Sequence, residues 1–196
     1  MLTLDGKASG LGSVRAASGD SFVRAMHRSV ECFRRERAPY TLIGAWALAI
    51  WGRPRATTDV DFLVMVNQEN LGRLGHRMAL EGMEVDEVWR KWNPMLGASQ
   101  IRLQFHGVSV DILRPLDAHD QQIFRRRLKK RIEARYFWVV SAEDLILQKL
   151  KVGRPRDFED ALDILERSGR RLDRAYLYRW ARRLGVSREL DYILAM

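Results

Sequence analysis

Apolar and polar positions along the chain alternate first between helical and strand spacing, then keep to helical spacing alone. Phe22, Met26, Val30 and Phe33 recur at three- and four-residue steps, which predicts an amphipathic helix over 21–37, stopped by Pro39. Tyr40 to Ile43 reads as a short strand, Gly44 as a turn, and 45–51 as a compact helix of good formers. After a polar loop over 52–58, two acids lead into the apolar run 59–66, a buried strand. Asn67 then caps a helix running to about Glu81, with Gly82 past its end. Residues 99–105 and 108–113 are β-type runs joined at His106-Gly107, a hairpin turn. Residues 121–131 read as a basic helix or helix end, and 136–140 as an aromatic strand. Ser141 caps a helix over 142–151; further helices follow at 155–168, at 174–184 and from 188 onward. The expected class is α/β (α+β), a mixed sheet flanked by helices. It divides into an N-terminal arm and helix (1–37), a core (38–140) and a C-terminal helical subdomain (141–196). The arm, rich in Gly, Ser and Ala over its first twenty positions, reads as loose.

Composition narrows the class. With 196 residues, 46% of them apolar, the chain can bury a sizeable core without disulfides or structural metal. Cys32 stands alone, which excludes an internal disulfide and a cysteine-cluster zinc site and fits a reducing cytoplasm. No apolar run is long enough to span a bilayer, so no membrane partner is expected, and the N-terminus lacks the pattern of a signal peptide. The net charge is +9, and most of the basic residues are arginine. Arginine matches phosphate bidentately, which favours an anionic partner; the alternative is a solvated surface that recognises nothing.

Asp59-Val60-Asp61 opens the second strand. Strand residues two apart share a face, so the two carboxylates stand side by side, where they repel unless a cation sits between them. An all-oxygen site suits Mg²⁺ or Mn²⁺ better than zinc. Asp111 places a third carboxylate on an apolar strand, where an unpaired charge is costly; a salt bridge to Arg102 or Arg114 is the other explanation for it. Upstream, the chain turns from strand into helix at Gly44-Ala45, presenting backbone N–H groups to an anion. A phosphate-holding helix start, then paired acids, then a third acid on a neighbouring strand is a layout for binding a nucleoside triphosphate through metal ions. The three carboxylates should converge on a common pair of ions lying ~3.5–4 Å apart.

Taken in order, Ile43-Gly44-Ala45-Trp46-Ala47, Gly52-Arg53-Pro54-Arg55 and Thr58-Asp59-Val60-Asp61-Phe62 resemble the signature of the DNA polymerase β-type nucleotidyltransferase superfamily. The resemblance covers roughly 38–166 and is nearest the small bacterial branch of AbiEii-type toxins and minimal nucleotidyltransferases. Val108 to Leu113 match the strand bearing the third acid, and Glu143 to Lys149 with Gly153 to Asp160 resemble that branch's C-terminal motif. The resemblance implies that Asp59 and Asp61 bind both metal ions and that Asp111 completes the second site and helps activate the attacking hydroxyl. Gly44, Ala45 and Thr58 would border the NTP, Lys149 would reach its phosphates, and Asp157 would take the late acidic position. The superfamily usually has Gly-Gly or Gly-Ser where this chain has Gly44-Ala45, so no hydroxyl is supplied to the phosphate there. Asp157 also reads as half of a helix-start charge pair with Arg156.

The implied activity is transfer of a nucleoside monophosphate from an NTP to an acceptor hydroxyl. RNA, tRNA above all, is the expected acceptor, with the protein the toxin of a toxin–antitoxin or phage-defence pair and an antitoxin as partner. Modification of a small hydroxylated molecule and non-catalytic nucleotide or RNA binding are the rivals. Arg125, Arg126, Arg127, Lys129, Lys130 and Arg131 form a basic run that reads either as a phosphate-backbone track or as a solvated face. Tyr176, Tyr178 and Trp180, set among the tail arginines, read as packing residues before base-stacking ones. His27, His76, His106 and His119 show no metal-ligand spacing.

Overall fold

The computed structural model describes residues 19–196, and of residue 170 the backbone alone. The arm read over 1–20 therefore falls almost wholly outside the described residues. The first helix, α1 (Gly19–Arg35), turns Phe22, Met26 and Phe33 inward, as its three- and four-residue spacing requires. Then come β1 (Tyr40–Leu42), α2 (Gly44–Trp51), β2 (Asp59–Val64) and α3 (Gln68–Leu80). The Asn67 side chain caps α3 by accepting from the Asn70 N–H. Next are β3 (Glu84–Val85), α4 (Glu87–Trp92), β4 (Gln100–Phe105), β5 (Val108–Leu113) and α5 (Ala118–Arg126). β6 (Leu128–Ile132) and β7 (Arg135–Val139) complete the sheet. α6 (Ala142–Val152), α7 (Pro155–Ser168), α8 (Arg174–Leu184) and α9 (Ser187–Ala195) close the chain.

The seven strands form one mixed sheet in the order β3-β4-β5-β2-β1-β7-β6. β2 and β5 run parallel at its centre, in a register that sets Asp61 beside Asp111. β1 lies antiparallel to β2 and parallel to β7. His106 and Gly107 both have positive φ, the geometry of a tight hairpin turn, and they join the antiparallel pair β4–β5. One apolar cluster runs from Phe22 through Phe62 and Ile112 to Ile193, so the C-terminal helices share their core with the sheet. No helix among the described residues is long and apolar enough to cross a membrane.

The C-terminal helices are joined to the sheet region by a buried polar knot as well as by apolar contacts. Asp144 on α6 accepts from the Ser141 and Tyr176 hydroxyls and lies 3.1 Å from His119 Nε2. Arg126 stacks on the Tyr176 ring at 3.8 Å and pairs with Glu143 and Asp144. Tyr176 and Trp180 are packing residues, while Tyr178 stays exposed.

Two expectations change. The basic stretch 121–131 is not one helix: α5 ends at Arg126, and Leu128–Ile132 is a strand at the edge of the sheet. Helical and strand preferences compete there, and pairing with the aromatic strand β7 decides for the strand. The segment 83–98, in which the pattern predicts nothing, contains β3 and α4. Neither buries an apolar residue in full, so neither leaves a periodic signature.

Candidate active site

β2 delivers its two acids as strand alternation demands: Val60 and Phe62 are buried, while Asp59 and Asp61 share the opposite face. β5 brings Asp111 directly beside Asp61. One carboxylate oxygen from each of the three lies within 4.8 Å of the others. The three acids expected to converge are thus brought together.

Thr57 donates its hydroxyl to Asp59 Oδ1 at 2.6 Å, fixing that carboxylate. Burial first, then the Asp59 and Asp111 charges, push the Asp61 carboxyl up to about 7, with Lys149 and Arg102 opposing. Gly44 lies against it with φ +61°, and a Cβ there would fall 2.0 Å from Asp61 Oδ2. Only glycine fits, because any side chain would meet both a left-handed backbone and the carboxylate. The turn is pinned by the Ile43 N–H, which donates to the Asp61 carbonyl at 3.0 Å. It opens α2, whose N-terminus has no side-chain cap, so its first N–H groups are available to an anion.

Asp111 has the salt bridge that a buried strand carboxylate calls for, and it also stands beside the other two acids. It belongs to the triad, and Arg102 forks onto it, Nε to Oδ1 at 2.7 Å and Nη2 to Oδ2 at 2.6 Å. Arg114 instead donates to the Ala98 carbonyl. The Arg102 guanidinium also lies 3.8 Å from Asp59 and over the Trp89 ring of α4 at 5.3 Å.

The other expected residues lie as follows. Ala45 is buried in the first turn of α2, and Thr58 is exposed beside β2. Lys149 is buried on α6, with its ammonium held by Asp157 at 2.9 Å and Asp160 at 2.7 Å. Arg55 closes this cluster by donating twice to Asp160. Asp157 also accepts from the Arg154 N–H at the start of α7, so it pairs with Lys149 rather than with Arg156. The basic run is dispersed. Arg126 is committed to the knot with Tyr176, and Arg127 lies over Trp138 and donates to the Phe124 carbonyl. Lys129 lies over Trp138, Lys130 over Trp51, and Arg131 donates to the Glu133 carbonyl. Arg125 is exposed.

Sequence reasoning missed Thr57, Trp89 and the Arg55–Asp160 arm. The resemblance singled out Thr58 of the Thr-Thr pair before Asp59 and passed over Thr57, and Trp89 lies on the helix that no periodicity announced. Three oxygen-donor carboxylates, one of them pushed toward protonation by burial and by the charges beside it, form a donor set for a hard divalent cation.

No protein-family model matches the sequence, and no curated protein matches it. Solved structures do. The solution structure of the antibiotic-resistance factor ANT(2'')-Ia superposes with a TM-score of 0.59 at 14% identity, over 89% of this chain and 99% of that one. The lincosamide antibiotic adenylyltransferase LnuA, lincomycin-bound, gives 0.51 at 13% identity, over 76% and 98%. The protein TM1012 of Thermotoga maritima, described as a putative nucleotidyltransferase, gives 0.50 at 15% identity, over 74% and 92%. The mixed sheet and flanking helices of this chain are those of the nucleotidyltransferase fold.

Proposed function

We propose that the protein is a metal-dependent nucleotidyltransferase that moves a nucleoside monophosphate from an NTP to an acceptor hydroxyl. The observation that carries this reading is the convergence of Asp59, Asp61 and Asp111 within 4.8 Å, beside a helix start that only glycine can make. Asp59, Asp61 and Asp111 are the residues to hold Mg²⁺ or Mn²⁺, two ions in this reading. Bound divalent ions neutralise the triphosphate and favour departure of pyrophosphate. Gly44 leaves the backbone free to approach the phosphates, and the uncapped N–H groups of α2, that of Ala45 among them, receive them. Thr58 borders the nucleotide, and Lys149 adds positive charge from its cluster with Asp157. Asp111 takes the proton of the acceptor hydroxyl. As that oxygen bonds to the α-phosphorus, the bond to the β-phosphate oxygen breaks.

RNA, with tRNA foremost, is our first reading of the acceptor, within a toxin of the AbiEii-like branch working against an antitoxin in the cytoplasm. It rests on the net charge of +9, with Arg125 exposed on α5 and Lys129 and Arg131 exposed on the edge strand β6. A small hydroxylated acceptor is the second reading, favoured by the fold shared with antibiotic-modifying enzymes over nearly their whole lengths. The deciding experiment incubates the protein with Mg²⁺, each α-labelled NTP, and either total tRNA or a panel of aminoglycosides and lincosamides. Label transferred to RNA supports the first reading, and label on a small molecule supports the second. Label on neither, matched by the Asp61→Asn control, removes nucleotidyl transfer to these acceptors.

A further inference from the structure

Asp111 already has a cation. The Arg102 fork occupies both of its oxygens, on a carboxylate only 3% exposed. The same guanidinium leans 3.8 Å from Asp59, and Trp89 lies beneath it at 5.3 Å. The helix that carries Trp89 is anchored at its start, since the Trp89 backbone N–H donates to the Asp86 side chain, which also accepts from Gln104 on the strand of Arg102. Arg102 therefore has a built place, defined by one ring and two carboxylates. Among the described residues, Asp59 and Asp61 receive no such fork, and Asp59 Oδ1 accepts from the Thr57 hydroxyl.

The three carboxylates are thus unequal. Two are open to an incoming cation, while the third is neutralised by a bidentate pair, the strongest geometry a guanidinium offers. A guanidinium and a metal ion cannot share the same lone pairs, and both placed at the triad would repel each other.

We propose that Arg102 is the built-in counter-cation of the triad, guarding Asp111 until the fork opens and so setting the affinity and order with which divalent ions enter. The proposal rests on reading the triad as a cation site. Arg102 is a positioning residue in it: while the fork is closed, Asp111 can neither ligate an ion nor take a proton from the acceptor. The first ion enters at Asp59 and Asp61, and Asp111 joins only when Arg102 lets go. Loss of the fork exposes all three acids at once.

The test is a nucleotide-free Mn²⁺ titration, followed by the electron paramagnetic resonance of free Mn²⁺. It compares the wild type, Arg102→Gln, Asp111→Asn and the double variant, with circular dichroism verifying each fold. Arg102→Gln is expected to tighten Mn²⁺ binding by about tenfold or to add a second ion. Asp111→Asn is expected to leave wild-type affinity within about twofold, yet to abolish the gain when combined with Arg102→Gln. Arg102→Lys, which keeps a charge but loses the fork, should fall between wild type and Arg102→Gln, and it carries the test alone if the glutamine variant does not fold. A wild type that binds Mn²⁺ with Arg102→Gln or Arg102→Lys no tighter overturns this proposal and leaves the proposed function standing. A fall in affinity from Asp111→Asn as large in the wild type as in the Arg102→Gln background overturns it too. Absence of Mn²⁺ binding in every protein overturns both.

Discussion

Gly44 and Lys149 show how much of the site's architecture hangs on single residues. An alanine at position 44 would adopt a left-handed backbone at a cost of about 1–2 kcal/mol, and its Cβ would also displace the Asp61 carboxylate. Wild-type protein should melt at a higher temperature with millimolar Mg²⁺ than without it, because a ligand bound only by the folded state stabilises it. Gly44→Ala should lower the metal-free melting temperature and lose most of the Mg²⁺ increment, as read by paired thermal scans. An unchanged increment would mean that the carboxylate does not need that position. Lys149 sits 10% exposed between Asp157 and Asp160. Lys149→Met would leave Asp157 without its cation while Asp160 keeps Arg55, and breaking a buried pair on one side costs on the order of 3–5 kcal/mol. Urea unfolding of this variant should show a loss of that order, and a loss under about 1 kcal/mol would mark the cluster as solvated.

Among the elements, α6 stands out because it carries charge into the core on two sides. Its Lys149 faces α7, and its Asp144 faces α5 and α8. Asp144 is held below the usual carboxylate range, since the hydrogen bonds from His119, Ser141 and Tyr176 outweigh the opposing effect of burial. A carboxyl lowered in the folded state stabilises the protein above its unfolded value and loses that contribution as pH falls through the folded one. Wild-type stability should therefore drop as pH descends below about 4, with α8 loosening from α6. Asp144→Asn should be less stable near neutrality and lose less between pH 5 and 3, as measured by urea midpoints across that range. A variant that keeps the wild-type acid slope would place the acid sensitivity elsewhere. Arg126 belongs to the same knot, which is why it serves poorly as a probe of nucleic-acid binding.

For the whole molecule the informative quantity is the excess of positive charge and where it remains free. Contact with polyanions weakens with salt by counterion release, with a slope of ~0.7–0.9 per phosphate contact. If RNA is the acceptor, Arg125→Ala combined with Lys129→Ala and Arg131→Ala should flatten the salt dependence of tRNA binding. It should leave the Mg²⁺ response of the melting temperature unchanged, since these residues lie on α5 and the edge strand β6 rather than among the triad strands. Filter binding at three or more salt concentrations measures the slope, and equal slopes for variant and wild type would make this edge a solvated face.

Local sequence signals determined α1 and the shared face of Asp59 and Asp61 by their spacing, α3 by its Asn67 cap, α7 and α8 as further helices, and the hairpin by His106-Gly107. These are local matters: a helix or strand shows its buried face in its own spacing, and a two-residue turn shows its geometry in its own residues. Only the tertiary structure decided what lies across from what. The parallel register of β2 and β5 set Asp111 beside Asp61, the antiparallel register of β4 set Arg102 beside Asp111, and packing on β7 made a strand of Leu128–Ile132. Lys149 stands eight residues from Asp157 in the chain, yet the turn between α6 and α7 makes them partners. Of the two threonines before β2, it is Thr57 whose hydroxyl meets Asp59. Pairing energies come from contacts between segments distant in the chain, so no window of sequence contains them.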